Sequence, residues 1–212
     1  MKNEKKVIRG MQFKITLNDS KPKVWRRIVV PSVYSFFDLH CAIKNAMGWS
    51  DCHLHGFYIA PKGTSGLIMI KFPDPDNDYG YFDNDDLDER KEKIADYFGK
   101  RIKQCQYTYD FGDSWDHTIL FEREYVAAIR AKYPICLAGE NACPIEDSGG
   151  TDGYEGLTKI LKNPKHKEYD EMCEWLGIES GEEIDPTELV VSDVYFENPR
   201  QCQKNWEKGC RI

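Results

Sequence analysis

The chain has 212 residues, 41% hydrophobic, 13% aromatic and 31% charged, with a net charge of −7. That length suffices for a buried core, and the acidic balance excludes non-specific attraction to nucleic acid or an anionic membrane, which needs clustered cations. The opening MKNEKKVIRGMQF lacks the apolar run of a secretory signal, and no segment is long enough to span a bilayer, so a cytoplasmic location is expected. The eight cysteines, none in a C-x-x-C pair, are then expected to be reduced thiols.

Residues 1–10 read as a leader. From Gln12 to Leu17 apolar and polar residues alternate, with Phe13, Ile15 and Leu17 on one face, which predicts a half-buried strand. The run Asn18 to Pro22 is turn chemistry, and Val24–Val30 is a second strand closing an antiparallel hairpin. Ser35 then stands as an N-cap with Asp38 as its capping-box acid, Phe36, Leu39, Ile43 and Met47 recur at helical spacing, and Gly48 is the stop. Strands at His55–Ala60 and Leu67–Phe72 follow. Hairpin, helix and further strands predict a β-grasp-like α+β fold.

Residues 73–90 carry seven aspartates and a glutamate against one arginine. The Asp74, Asp76, Asp78 spacing resembles a calcium loop, but Tyr79 stands where an EF-hand requires glycine, so a solvated acidic loop is expected. Lys91–Ile94 and Ala95–Gly99 read as a strand and a helical turn. Tyr107–Glu122, YTYDFGDSWDHTILFE, reads as a tight hairpin, and Arg123–Lys132 fits strand or helix equally. Tyr133–Gly150 reads as an irregular loop, Tyr154–Lys162 and Tyr169–Leu176 as helices, and 199–212 as a polar tail after a single domain over 11–198.

The hairpin admits two registers. A Gly112-Asp113 turn sets Asp110 opposite Trp115. A Gly112-Asp113-Ser114 loop instead collects Tyr107, Tyr109, Phe111, Trp115, His117, Ile119 and Phe121 on one face and opposes Asp110 to Asp116. The second is more amphipathic, and burial fixes register, so it is preferred.

Among chemistry-bearing residues, Asp113 and His117 form a D-x-x-x-H, but four strand residues span roughly 13 Å, too far for one ion. His117 reads first as a buried histidine bonded to a tyrosine or carboxylate. His53 and His55 fall on one side of a strand and make half of a possible divalent-metal site, with His117 as a further candidate ligand and Cys136, Cys143, Glu146 and Asp147 as the other half. In Pro144–Tyr154, PIEDSGGTDGY, the acids precede paired glycines and a helix, a pattern read as a carboxylate cap. No nucleophile motif accompanies them.

The motifs VWRRIVVP, AMGW, HLHGFYI, YTYDFGDSWDHTILFE and CPIEDSGGTDGY, in that order, resemble the plasmid pRiA4b ORF-3-like family from about Gln12 to the helix near Leu176. Its motif positions fall here on Trp25, Arg26, His55, Asp110, Gly112, Asp113, Trp115, His117, Glu146, Asp147, Gly149, Gly150 and Tyr154. Ile145 departs from the usual paired prolines. The resemblance implies no reaction, and the mobile-element label of some members implies a nucleic-acid accessory role that the acidic composition does not support.

These readings lead to an expected non-catalytic binding module. Its polar-aromatic groove would be lined by Arg26, His55, Asp110, Asp113, Trp115, His117, Glu146, Asp147 and Tyr154, and would take a peptide, protein or small ligand. A metal-dependent hydrolase built on His53, His55 and His117 is the alternative, and a nucleic-acid accessory protein the third.

Overall fold

Eight strands order as β5-β4-β3-β6-β7-β1-β2-β8 in one sheet, and a computed structural model describes residues 8–61, 63, 66–73, 85–127, 134–179, 181 and 184–207. The strands are β1 (Ile8–Leu17), β2 (Trp25–Pro31), β3 (His55–Ile59), β4 (Ile68–Lys71), β5 (Leu87–Asp88), β6 (Gln104–Tyr109), β7 (Trp115–Ala127) and β8 (Ile135–Glu140). Among the described strands β4 and β5 run parallel and the other pairings are antiparallel, so the sheet is mixed and the fold is α+β.

Alternation decides which side of the sheet is covered. Phe13, Ile15 and Leu17 of β1, Tyr107 and Tyr109 of β6, and Trp115, Ile119 and Phe121 of β7 all join one core. The opposite face is polar. There Glu122, the extra residue at a β-bulge opposite Gln12 and Phe13, accepts both Arg27 nitrogens at 2.7 and 2.8 Å.

Helix α1 (Phe36–Met47) lies on the core face. Ser35 Oγ accepts from the Asp38 N–H at 3.1 Å while Asp38 accepts from the Ser35 N–H at 2.8 Å, completing the expected capping box. Gly48, at φ 90°, ends the helix. Ten of the twelve residues are buried, so α1 is covered on two sides and not only by the sheet. The second cover is α5 (Pro199–Glu207), whose Cys202 and Trp206 pack on Phe37, Cys41 and Phe72. The segment read as a polar tail therefore forms a docked helix as far as Glu207. Its polar residues face water, and two apolar residues one turn apart suffice to seat it.

Other expectations shift. Strand β1 begins at Ile8, inside the expected leader. The acidic stretch lies outside the described residues over 74–84, but 85–90 is not a solvated loop: it holds β5, which replaces the strand expected at 91–94. Three of its four acids have partners: Asp86 pairs with Lys71 at 2.8 Å and Asp88 with Arg90 at 2.9 Å, while Glu89 is fully buried against His55. A short helix, α2 (Ile94–Tyr97), follows.

Strand β7 continues to Ala127, which settles that part of the strand-or-helix ambiguity; 128–132 lie outside the described residues. The supposed irregular loop contains edge strand β8, paired with β2. Helix α3 (Gly150–Leu161) starts four residues earlier than expected, and α4 (Tyr169–Leu176) ends at Gly177 as expected. The central hairpin takes neither anticipated register. Tyr109 faces Trp115 and Tyr107 faces His117, so the loop is Asp110–Ser114. The inward face is as expected except that Phe111 leaves it for the surface, and Asp116 bonds Thr108 instead of opposing Asp110. No helix among the described residues is long and apolar enough to cross a membrane.

Candidate functional site

The nine candidate groove residues and His53 separate into three environments. Arg26 is buried and serves the backbone: it donates to the carbonyls of Ala46, Trp25 and Glu140 at 2.9–3.0 Å, tying the end of α1 to the sheet edge. Burial lowers its pKa. Trp115 and His117 are fully buried, and neither the Trp115 indole nitrogen nor either His117 nitrogen has a well-formed hydrogen bond. The tyrosine or carboxylate partner expected for His117 is absent; it stands edge-on to Trp49 at 5.4 Å and beside Tyr107 at 5.5 Å. Tyr154 is likewise in the core. Trp115, His117 and Tyr154 cannot line an open groove, and the cleft that Arg26 borders lies between the end of α1 and residues 188–197, away from the hairpin acids.

His53 and His55 are not neighbours on one strand face. His55 opens β3 and points into the core, 2.9 Å from Glu89 and stacked on His40. His53 precedes the strand and turns to the loops. The three histidines considered for a metal therefore occupy three separate places. Cys136 and Cys143 flank Arg26, away from His53, and the described cysteines carry free thiols.

What does converge is the loop end of the sheet. Asp110 and Asp147 both adopt left-handed backbone, φ 56° and 60°, a conformation that is uncommon outside glycine, asparagine and aspartate. Asp110 Oδ1 accepts the Gly112 N–H at 2.9 Å, which folds the hairpin loop back on itself. Its Oδ2 lies 3.6 Å from His53 Nδ1, beyond hydrogen-bond length. On the other side of the ring, Nε2 is 3.1 Å from Asp147 Oδ1 but out of line for a hydrogen bond. Donor atoms of His53, Asp110 and Asp147 all lie within 4.8 Å of one another.

Asp113 and Glu146 hold this arrangement in place. Asp113 accepts the Gly149 N–H at 2.9 Å, and its carbonyl oxygen would sit 2.4 Å from a Cβ at Gly150. Glycine there lets the hairpin loop close onto the start of α3. Glu146 is occupied on both oxygens, accepting the Ser50 N–H and hydroxyl at 2.7 Å and the Tyr109 hydroxyl at 2.6 Å. The carboxylate read as a cap of the following helix thus anchors the turn after α1. Burial, then the Glu146 carboxylate, pushes the Tyr109 pKa up and keeps it a hydrogen-bond donor.

Asp147 is the acid left open, with its side chain 62% exposed. It also borders a cleft of about 340 Å³ between α3 and α4, whose apolar wall is Leu157, Ile160, Met172 and Trp175. Trp175 is 47% exposed. Motif reading did not single out Trp175, Ser50 or Trp49; an outward tryptophan on the amphipathic stretch Tyr169–Leu176 was the available signal for the first.

Residues 9–192 match the family of plasmid pRiA4b ORF-3-like proteins. An uncharacterized protein of Sinorhizobium fredii, y4hQ, is 34% identical over 168 residues, covering 79% of this chain and 80% of that protein. The crystal structure of MM3350 from Methanosarcina mazei Go1, titled a protein of unknown function, is 36% identical, with a TM-score of 0.77 over 89% of this chain and 99% of that one. The matched span takes in β1 through α4 and both acid-bearing loops, and by it the chain belongs to the plasmid pRiA4b ORF-3-like family.

Proposed function

We propose that the protein is a binding module for a ligand that presents a cationic group beside an apolar one, such as a peptide with lysine or arginine next to a large aliphatic or aromatic side chain. The observation that carries this reading is the position of Asp147, exposed between the His53–Asp110 pair and the apolar cleft of α3 and α4. The expected groove thereby moves. Its acids are Asp110 and Asp147, and its aromatic wall is Trp175 in place of the buried hairpin rings. A cleft of about 340 Å³ is at the small end for ligand sites and suits one side chain.

Short peptides of basic-apolar and acidic-apolar sequence, titrated calorimetrically into the full chain, test it. The basic set is expected to bind, with affinity falling about tenfold in Asp147→Asn and Trp175→Ala and weakening with salt. Equal binding of both sets, or indifference to both substitutions, refutes the reading.

A metal-dependent hydrolase is the second reading, favoured by the grouping of His53, Asp110 and Asp147 donor atoms within 4.8 Å. Three protein ligands leave coordination positions open for water and substrate. Its requirement is a stoichiometric divalent ion lost on His53→Ala.

A further inference from the structure

A second group of side chains lies apart from the loop end and takes no part in the ligand site. His40 comes from α1, Asp51 from the turn after it, His55 from the start of β3 and Glu89 from the turn after β5. His40, His55 and Glu89 are fully buried and the Asp51 side chain is only 8% exposed. His40 Nε2 is 2.8 Å from Asp51 Oδ1, and His55 Nε2 is 2.9 and 3.0 Å from the two Glu89 oxygens. The imidazoles lie face to face, with centroids 3.3 Å apart and planes 2° from parallel. Donor atoms of His40, Asp51 and His55 all fall within 4.8 Å. A tetrahedral ion with bonds of about 2.0 Å separates its ligands by about 3.3 Å, a spacing that donor atoms within 4.8 Å of one another reach with small side-chain shifts.

Charge points the same way. Two imidazoles stacked with centroids 3.3 Å apart cannot both be protonated without strong repulsion. Lys44 lies 3.9 Å from Asp51 but is shared with Glu197 at 2.8 Å. A buried site in which two carboxyl groups face two imidazoles that cannot both be charged is short of positive charge.

The surroundings are those of a closed site. His40 Nδ1 is 2.8 Å from the Tyr107 hydroxyl, which burial keeps a neutral phenol. When Nδ1 carries the proton, it donates a hydrogen bond to that hydroxyl and leaves the Nε2 lone pair for an ion, the arrangement in which an outer partner fixes the tautomer of a ligating histidine. Trp206 of α5 stands edge-on over both rings, 5.4 Å from His55 and 6.3 Å from His40. A narrow cleft of about 210 Å³ between Ser50, Glu197 and Asn205 leads in to Asp51.

We propose that His40, His55 and Asp51, with Glu89 beside them, bind one divalent ion of the zinc class as a structural site fastening α1 to β3 beneath α5. Imidazole nitrogens with carboxylate oxygens suit zinc or cobalt, and full enclosure suits a structural over a catalytic ion.

Cobalt(II) titration of the full metal-stripped chain tests this, because visible d–d bands report nitrogen-oxygen coordination. One equivalent is expected to bind to wild type and to His53→Ala alike, with affinity falling more than about a hundredfold in Asp51→Asn and His55→Gln, since a lost ligand costs more than a lost outer partner. In wild type, zinc is also expected to move the ring-nitrogen NMR shifts of His40 and His55 and not those of His53, a measurement independent of how the variants fold. No binding by wild type overturns the proposal. So does binding lost on His53→Ala and retained in Asp51→Asn, or unchanged His40 and His55 shifts; an ion confined to His53 would leave the surface reading standing while this one fails.

Discussion

His117 sits with both ring nitrogens buried among Tyr107, Trp49 and Trp115, where a charge meets no acidic side chain and only poorly aligned backbone. Burial lowers its pKa from 6.5 to about 4, an effect partly offset by the Trp115 and Tyr107 backbone. The unfolded chain therefore binds more protons than the folded one between those values. The stability this residue contributes is present above pH 6.5 and is lost as pH falls toward 4, at about 1.4 kcal/mol per unit. His117→Leu, close in volume, is expected to cost under about 1 kcal/mol at neutral pH, because no hydrogen bond is lost. It should also remove about 2 kcal/mol of the loss wild type suffers on going to pH 5, as read by urea unfolding at both pH values. An unchanged pH dependence in the variant rules out this account. Alternation along Trp115–Phe121 was enough to tell that His117 is inside. What faces it comes from Trp49 and Tyr107, on other elements, so its lack of a partner was not legible in the strand itself. The same holds for Asp110 and Glu146: their motifs were visible, but the first curls its loop and the second anchors Ser50, roles set by chain segments far away in sequence.

Between elements, the difference between the two tryptophans of the C-terminal helices separates packing from function. Trp206 on α5 is 5% exposed and completes the cluster over Phe37, Cys41 and Phe72, whereas Trp175 on α4 is 47% exposed. Trp206→Ala is expected to cost about 3 kcal/mol, lowering Tm by about 6–12 °C in metal-free protein at 2–4 °C per kcal/mol. Trp175→Ala should stay within about 0.5 kcal/mol. Differential scanning calorimetry of both variants decides it; a Trp175→Ala loss as large as that of Trp206→Ala would place Trp175 in the fold and remove it from the cleft. Helix α1 was readable because capping residues, spacing and the glycine stop agreed. Helix α5 was not, since Cys202 and Trp206 are two anchors among polar neighbours and give a hydrophobic stripe too thin to notice. The acidic segment misled for the converse reason. A run of like charge points to solvation, yet Asp86, Asp88 and Glu89 each meet a specific partner in Lys71, Arg90 and His55.

Across the whole molecule, the strand order puts β6, β7 and β1 at the centre and β5 and β8 at the rims. Central ladders open only with global unfolding, while rims open locally. Native-state hydrogen exchange is therefore expected to find the amides of β1 and β7 protected to the global limit and those of β8 exchanging fastest among the paired strands longer than two residues. Equal protection of β8 and β1 would contradict that order. The α+β class followed from a hairpin, a well-capped helix and further alternating strands. The eight-stranded order did not, because β8 is short and only partly buried and so lacks the apolar pattern that marks a strand.

The pairing of β1 with β7 joins Leu17 to His117, residues 100 positions apart in the chain. On the ribosome, at roughly 5–20 residues per second, the first hairpin then waits about 5–20 s before its central neighbour exists. Its other side, β2, waits longer still for Ile135–Glu140. For that interval both borders of the hairpin offer unsatisfied backbone to any passing strand, and the apolar side of β1 has only α1 to cover it. Lys14 and Arg27, charges on the outward face, are the kind of residue that discourages such encounters. Birth order thus makes the nascent chain more vulnerable than the finished one, and chains interrupted before Trp115 are the ones most exposed to aggregation.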